Sequence, residues 1–216
     1  MRLSEKTLEL NFCSQLPWKF GAPLIWFGLT QREEARLGFD ACTKIRGRLL
    51  VFQFKASSWI MASRARRFYL PHQQLIQLQG VAHRYPRSVF YVFPLVGTVS
   101  ELTSNPDVVA QSWLLDVGLM PVLSLPTTKA GAPRKNGMHY ADVFPGNAVI
   151  HSEPVQVELA SAAAFAKRRF PGADGINWMF QTFDAFWDFA QIFRRMAVGC
   201  VIGPARWQGR LTRACT

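Results

Sequence analysis

Residues 37–56 read LGFDACTKIRGRLLVFQFKA and indicate two β-strands, one on each side of a turn at Arg46-Gly47. Both halves are rich in the β-branched, aromatic and other apolar side chains that are typical of strands. Because side chains alternate between the two faces of a strand, Gln53 and Lys55 share one face of the second strand. The two neighbouring phenylalanines belong to the opposite face, where they predict contact with a hydrophobic core.

The surrounding sequence predicts a helix, three strands, a second helix and a fourth strand, in that order. The predicted helices span residues 3–16 and 71–84, and the predicted strands span residues 24–29, 37–45, 48–56 and 88–96. We expect Pro17 to end the first helix, because proline lacks the amide hydrogen that a helix interior needs. Thr30 and Glu33 have the spacing of a capping box, which predicts a short helical turn at residues 30–35.

The rest of the chain predicts loops, short strands and further helices. Five prolines interrupt residues 97–150, which favours loops with short strands there. We expect a short helix at residues 160–169 and a long one at residues 176–197, where apolar residues recur at helical spacing. The prediction is therefore a core in residues 1–96 and a helical C-terminal addition in residues 97–216 that packs on it, as one compact domain.

The composition indicates a folded protein with a strong positive charge. Of the 216 residues, 49% are hydrophobic and 18% are charged, which excludes a disordered chain and predicts a buried core. Lys and Arg number 25 against 14 Asp and Glu, so the net charge is +11. A surplus of this size indicates a polyanionic partner, either nucleic acid or an anionic membrane surface.

Cysteine usage and the longest apolar stretch favour a cytoplasmic protein. The four cysteines form no CxxC pair, which argues against a zinc ribbon, a redox dithiol or a disulfide scaffold. The first residues lack the architecture of a signal peptide. Charged residues interrupt the apolar stretch at 176–202, and a membrane span would be strongly disfavoured by them. We therefore expect no membrane association.

Three polar residues are expected to converge on one site. Asp40 lies on the first strand of the quoted stretch, and Gln53 and Lys55 lie on the second. Hydrolysis of a phosphodiester needs oxygen ligands for Mg²⁺ and a cation near the scissile phosphate, which these residue types can supply. Glu5 or Glu9 of the first helix is a further candidate acid. The alternative is a cross-strand ion pair of Asp40 with Lys55.

This pattern resembles the PD-(D/E)xK nuclease superfamily, also called restriction-endonuclease-like. The matching residues are Gly38-Phe39-Asp40 and Gln53-Phe54-Lys55, and the resemblance covers residues 3–96. Gln53 stands where most members have an acid, as it does in the QxK variants such as the Mrr-type restriction endonucleases. The QxxxY spacing of the RecB-like branch is absent.

The resemblance implies an α/β fold with an αβββαβ core around a mixed central sheet. It implies a nuclease that depends on Mg²⁺ or Mn²⁺ and cleaves nucleic acid, more specifically DNA, in a defence setting. Asp40 would be the principal metal ligand, Gln53 a weaker neutral ligand, and Lys55 the group that orients the nucleophile or stabilises the phosphate. Gln73 or Gln74, at the start of the second predicted helix, would lie near the substrate.

The distribution of charge favours the same kind of partner. Residues 41–100 contain no acidic residue, whereas nine lysines and arginines fall there. Arg64, Arg66 and Arg67 are the best candidates for contacts with a phosphate backbone. Trp59 and Tyr69 flank them and could stack on bases. The alternative is a solvated basic loop beside core aromatic residues.

Two other functions remain open at this point. One is a catalytically inactive subunit that binds nucleic acid on the same fold, with a site that has decayed at Gln53. The other is a protein-interaction module whose aromatic C-terminal helix binds a partner, and a homodimer is a further option. The four histidines are scattered, so we expect them at the surface or in structural hydrogen bonds. We expect His151-Ser152-Glu153 to form a turn.

Overall fold

A computed structural model describes residues 1–21, 23–45, 48–57, 59–127, 131 and 137–167. These residues belong to a compact unit, Met1–Met179, and a second unit, Phe180–Thr216, lies outside them. The helix predicted at residues 176–197 and the predicted turn at Arg46-Gly47 also lie outside the described residues. Within the described ranges, no helix has the length and apolar character that a membrane crossing requires.

The described part of the chain is an α/β structure. The helices are α1 (Glu5–Phe20), α2 (Gln31–Leu37), α3 (His72–Arg84), α4 (Val99–Ser104) and α5 (Ala162–Lys167). The strands are β1 (Trp26–Gly28), β2 (Ala41–Ile45), β3 (Arg48–Phe54), β4 (Trp59–Ile60), β5 (Arg66–Pro71), β6 (Val89–Pro94), β7 (Ser112–Asp116), β8 (Met138–Phe144), β9 (Asn147–Ile150), β10 (Val155–Glu158) and β11 (Ala160–Ser161).

A mixed six-stranded sheet has the strand order β1-β2-β3-β6-β7-β11, which confirms the prediction of a mixed central sheet. Its strands pair antiparallel except for β3 and β6, which are parallel. A parallel pair needs a long crossover connection, and here the connection contains β4, β5 and α3. A second sheet, with the order β10-β9-β8-β5-β4, has five strands and is antiparallel throughout.

The start of the chain folds close to the prediction, with one error at Pro17. Helix α1 continues through Pro17 in its last turn and ends at Gly21. Gly21 has a φ of +67°, and its amide donates to the carbonyl oxygens of Pro17 and Trp18. This left-handed glycine cap ends the helix, and the missing amide of Pro17 does not. At α2 the predicted capping box is confirmed: Thr30 and Glu33 satisfy each other's backbone amides.

The sheet is covered on one face by α1. Phe12 of α1 is fully buried, and its ring centre lies 5.8 Å from that of Phe52 and 5.3 Å from that of Phe54. These are tilted and edge-to-face contacts, the arrangements that aromatic rings prefer. Phe52 also stacks on Phe90 at 6.0 Å, so the core continues from β3 to β6.

Residues 97–150 contain longer strands than their five prolines suggested. Strand β7 continues the six-stranded sheet beside β6, and the seven-residue strand β8 pairs with β5. The C-terminal addition was expected to be helical, but among its described elements only α4, α5 and a 3₁₀-helix at Val117–Leu119 are helical, whereas β7 to β11 are strands. The period-two pattern of β8 is hard to read in the sequence, because polar residues, His139 and Asp142, occupy two of its buried positions.

A chain of hydrogen bonds connects α3 to the five-stranded sheet. His139 of β8 has no exposed surface. One of its ring nitrogens lies 2.9 Å from Nδ1 of His72, the first residue of α3. The other lies 2.5 Å from the hydroxyl of Ser152, in the turn after β9. Burial lowers the pKa of His139, and the nearby His72 lowers it further, while Glu153 acts in the opposite direction.

Phe12→Ala is expected to lower the free energy of unfolding by about 3–5 kcal/mol, because it removes a fully buried ring from the centre of the core. Urea unfolding measures the change. Trp18→Ala is the control: this side chain of the same helix is 86% exposed, so its removal should change the stability by less than about 0.5 kcal/mol. Equal effects of the two substitutions would contradict the assigned packing.

The buried His139 should make the protein less stable in acid. Because its pKa is lower in the folded chain than in the unfolded chain, the unfolded state binds more protons below about pH 6.5. The free energy of unfolding should therefore fall as the pH drops from about 7 to about 5, and less steeply in His139→Gln. Urea unfolding at both values tests this. His83→Gln, at an exposed position of α3, should keep the wild-type slope.

Candidate functional site

The end of helix α2 positions Asp40. The helix is capped at Gly38, whose φ of +79° lies in the left-handed region that glycine adopts without strain. A Cβ atom at this position would also lie 3.0 Å from Oε1 of Gln77 on α3. Two residues later the Asp40 amide donates to the Phe52 carbonyl oxygen over 3.1 Å. The glycine thus allows the chain to pass close to α3. Asp40 lies directly before β2 and beside the end of β3.

Strand β3 supplies two hydrogen bonds to the Asp40 carboxylate. Nε2 of Gln53 donates to Oδ2 of Asp40 over 2.8 Å and also to the Phe54 carbonyl oxygen over 3.0 Å. The Phe54 amide donates to the same Oδ2 over 2.7 Å. The structure therefore brings Asp40 and Gln53 together, with the amide nitrogen of Gln53 facing the carboxylate.

Lys55 lies beside Glu5 at the start of α1. Its side chain is 8% exposed, and Nζ lies 3.8 Å from Oε1 of Glu5. The same Glu5 oxygen accepts a hydrogen bond from the Ala56 amide over 3.3 Å. Within the described part of the chain, the ion pair of Lys55 is thus with the helix carboxylate, whereas the sequence had left open a cross-strand pair with Asp40.

Glu9, the second candidate acid, has a different partner. It is buried one turn further along α1, and its two carboxylate oxygens lie 2.8 and 2.9 Å from Nζ of Lys6. This contact raises the pKa of Lys6. Of the two acids, Glu5 is therefore the one that the structure places next to Lys55.

The carboxyl group of Asp40 titrates close to neutral pH. Burial raises its pKa to about 6, and the Phe54 amide and the Lys55 ammonium only partly oppose this effect, whereas Glu5 adds to it. Burial disfavours the charged form of a carboxyl group because the interior solvates charge poorly. A pKa in this range is common in functional sites.

The carbonyl oxygen of Gln53 indicates how a metal ion would fit. Oε1 is buried and has no hydrogen-bond partner among the described residues, and such an orphaned acceptor costs about 1–3 kcal/mol. Asp40, which contacts the amide nitrogen of Gln53, and Glu5, whose charge acts on the Asp40 carboxyl, add carboxylate oxygens, and Mg²⁺ prefers oxygen donors of these kinds. No group of three or more His, Cys, Asp or Glu side chains in the described ranges could hold a metal ion, so binding would depend on this amide oxygen.

Tyr91 is a member of the site that the sequence did not reveal. It lies on β6 opposite Gln53 in the parallel register, and its hydroxyl is buried without a hydrogen-bond partner in the described part of the chain. Burial raises the pKa of Tyr91, and the charge of Asp40 raises it further. In the sequence this tyrosine resembles any core aromatic of a buried strand, and only the strand register connects it to Gln53.

Gln74 reaches the same region from α3. A Cβ atom at Gly38 would lie 3.6 Å from Cγ of Gln74, two residues from Asp40 along the chain. Oε1 of Gln74 is also buried without a hydrogen-bond partner among the described residues. Its neighbour Gln73 is exposed. Of the two glutamines, Gln74 is therefore the one that packs toward the end of α2.

The three candidate arginines do not form one cluster. Arg64 is exposed in the turn between β4 and β5. Arg66 is 9% exposed and pairs with Glu101. Arg67 donates two hydrogen bonds to Asp142, over 2.6 and 2.7 Å. Arg66 and Arg67 thus form ion pairs within the protein, and Arg64 is the one of the three that is exposed to solvent.

No protein-family model matches this sequence, and no curated protein is significantly similar to it. The function of this chain is therefore inferred from the geometry of the site and from the chemistry of its residues.

Asp40→Asn is expected to raise the free energy of unfolding at about pH 7 by about 1–3 kcal/mol. With a pKa raised above that of the unfolded chain, the ionised Asp40 destabilises the fold, and this loss grows as the pH rises from about 4 to about 6. The hydrogen bonds from Gln53 and from the Phe54 amide both reach Oδ2 of Asp40, and the side-chain oxygen of an asparagine can accept both. Urea unfolding at about pH 7 and about pH 4 measures the effect, which should vanish at the lower pH.

Asp107→Asn is the matched control for this prediction. It removes an acid that is paired with Lys19, so it should lower the free energy of unfolding or leave it unchanged. If both substitutions were to destabilise the protein equally at neutral pH, the assigned surroundings of Asp40 would be wrong.

Proposed function

We propose that this protein is a metal-dependent nuclease that hydrolyses phosphodiester bonds of nucleic acid, more specifically DNA. The observation that carries the proposal is the contact of Asp40 with Gln53 at the end of β3, with the buried ammonium of Lys55 on the residue that directly follows this strand. A carboxylate, an amide oxygen without a partner and a cation are the groups that Mg²⁺-assisted phosphodiester hydrolysis uses.

The arrangement of elements supports the proposal. Helix α1, strands β1, β2 and β3, helix α3 and strand β6 occur along the chain in the order of a restriction-endonuclease-like αβββαβ core, with α2 inserted before β2, and β4 and β5 inserted before α3. The antiparallel pairing of β1, β2 and β3 and the parallel pairing of β3 with β6 agree with that core. We propose that the chain is a QxK variant of the PD-(D/E)xK superfamily on these grounds.

Each residue has a proposed role at the site. Asp40 and Gln53 would hold the metal ion, Mg²⁺ or Mn²⁺, with Glu5 as an additional acid. When bound, the ion would act as a Lewis acid that activates water and neutralises phosphate charge. A cation beside Asp40 would also favour its ionised form at neutral pH. Lys55 would stabilise the negative charge of the phosphate, and the net charge of +11 would favour binding of the polyanion.

One observation favours an alternative, a nucleic-acid-binding subunit without catalytic activity. Gln53 is neutral, and its amide nitrogen already donates to Asp40 and to the Phe54 carbonyl oxygen. The charged ligands of a metal ion would then be Asp40 and the more exposed Glu5, and the neutral Gln53 would contribute little to metal affinity. Weak metal binding would leave binding of nucleic acid intact and remove cleavage.

A cleavage assay separates the two functions. The purified protein is incubated with plasmid, linear duplex DNA, single-stranded DNA and RNA, in Mg²⁺, Mn²⁺ or EDTA. We expect cleavage in either metal and none in EDTA. Lys55→Ala should reduce the cleavage rate by about 10²-fold or more, as loss of a charge-stabilising group commonly does, and Asp40→Asn should have a similar effect.

Lys167→Ala is the matched control, because this exposed lysine lies at the end of α5. It should cleave at the wild-type rate. Cleavage in EDTA, or unchanged cleavage by Lys55→Ala, would contradict the proposed site. Salt-sensitive binding without cleavage of any substrate would favour the inactive binding subunit instead.

A further inference from the structure

The five-stranded sheet carries a row of aromatic side chains on one face. Tyr69 of β5 and Tyr140 of β8 are directly opposite in the antiparallel register, with ring centres 5.1 Å apart. Trp59 of β4 contacts Tyr69 edge to face at 6.0 Å. The guanidinium carbon of Arg67 lies 5.7 Å from the ring centre of Tyr140. We call these four residues the aromatic face.

The aromatic face is the outer side of this sheet. Phe68, Leu70 and Ala141, which alternate with its members along β5 and β8, are fully buried. Trp59 is 44% exposed, and both tyrosines are partly exposed. Large aromatic rings are thus presented to solvent on a sheet whose opposite side already supplies the core packing. Such a row of exposed rings is a feature of surfaces that bind a partner.

The charge around the aromatic face is complementary to a polyanion. Strands β4 and β5 lie within residues 41–100, which contain no acidic residue, and the exposed Arg64 lies in the turn between them. Asp142 lies on the same face. Its carboxylate accepts two hydrogen bonds from Arg67 and lies 2.7 Å from Nε2 of His151. Its negative charge is therefore neutralised within the protein.

The members of the aromatic face are held in place before any partner binds. The edge-to-face contacts fix the rings, and the two hydrogen bonds to Asp142 fix the planar head of Arg67. Side chains that are already ordered lose little conformational entropy on binding. The surface therefore carries ordered aromatic rings beside an exposed arginine, which suits stacking of planar bases.

The aromatic face begins close to the proposed catalytic site. Trp59 is four positions after Lys55 in the sequence, so their Cα atoms are at most about 14 Å apart. A strand of nucleic acid that contacts Trp59 could therefore extend to the site at Asp40. Inside a duplex the faces of the bases are hidden in the stack, whereas unpaired bases can stack on aromatic side chains.

We propose that the aromatic face binds single-stranded nucleic acid by stacking unpaired bases on Trp59, Tyr69 and Tyr140, with Arg64 contacting the backbone. This deepens the proposed function and rests on it in one respect: the substrate of the nuclease is then single-stranded, or has a single-stranded end. The binding itself does not depend on catalysis.

Fluorescence anisotropy of a short labelled single-stranded DNA, measured in EDTA so that no cleavage occurs, tests the proposal. The full chain should bind the single strand more tightly than the matched blunt duplex. Trp59→Leu and Tyr140→Leu should each weaken binding of the single strand by about fivefold or more, because a stacked base is lost. Trp59→Phe keeps a ring and should remain within about twofold of the wild type.

Trp18→Leu is the control, since it removes a tryptophan that is 86% exposed on α1, away from this sheet. It should bind as the wild type does, and circular dichroism should show the same fold for all variants. Wild-type affinity in Trp59→Leu and Tyr140→Leu, an equal loss for single strand and duplex, or no binding of either would overturn the proposal.

The failure of this proposal and that of the nuclease proposal are distinguishable. Cleavage that persists in Lys55→Ala contradicts the catalytic site and leaves the binding measurements unaffected. Unchanged binding in Trp59→Leu and Tyr140→Leu contradicts binding by the aromatic face, even where metal-dependent cleavage of some substrate is observed. Tighter binding of the single strand than of the duplex, together with weaker binding in both leucine variants, supports binding by the aromatic face whether or not cleavage is observed.

Discussion

The burial of strand β3 on both of its faces is the constraint on which the rest of the described structure depends. Phe52 and Phe54 face α1, whereas Gln53 faces the opposite side and is 2% exposed. A buried amide must find hydrogen-bond partners, because an unpaired polar group in the interior is strongly disfavoured. The amide nitrogen of Gln53 finds them in Asp40 and the Phe54 carbonyl oxygen, whereas its amide oxygen has none among the described residues. The packing of the core and the geometry of the candidate site are therefore determined by the same strand.

The same principle explains the second sheet. His139 and Asp142 occupy inner or largely buried positions of β8 and would destabilise the fold if they were unpaired. His72 and Ser152 satisfy the histidine, and Arg67 satisfies the aspartate. These contacts connect β5 and α3, which are consecutive in the chain, to β8, which is distant from both. They also leave the rings of the aromatic face on the outside, where the proposal of single-strand binding begins.

Local signals were sufficient for several elements. The capping box at Thr30, the strand pattern of residues 48–56 and the helical periodicity of residues 71–84 predicted structure close to what is observed, because each depends on neighbours in sequence. Pro17 misled the prediction for α1, since contacts of the last turn and the glycine cap outweigh one missing amide. Strand β8 was missed because its buried polar residues are stabilised by partners that the sequence does not place nearby.

The sequence by itself determined a mixed α/β chain, a strong positive charge and the residue types of the candidate site, Asp40, Gln53 and Lys55, because alternation along a strand depends on backbone geometry alone. Only the tertiary structure decided which groups meet. Glu5 rather than Glu9 lies beside Lys55, Tyr91 lies opposite Gln53, and the arginines of β5 face different carboxylates. The reason is physical: register and packing join residues that are far apart in the chain, and a one-residue change of register would move every side chain to the other face.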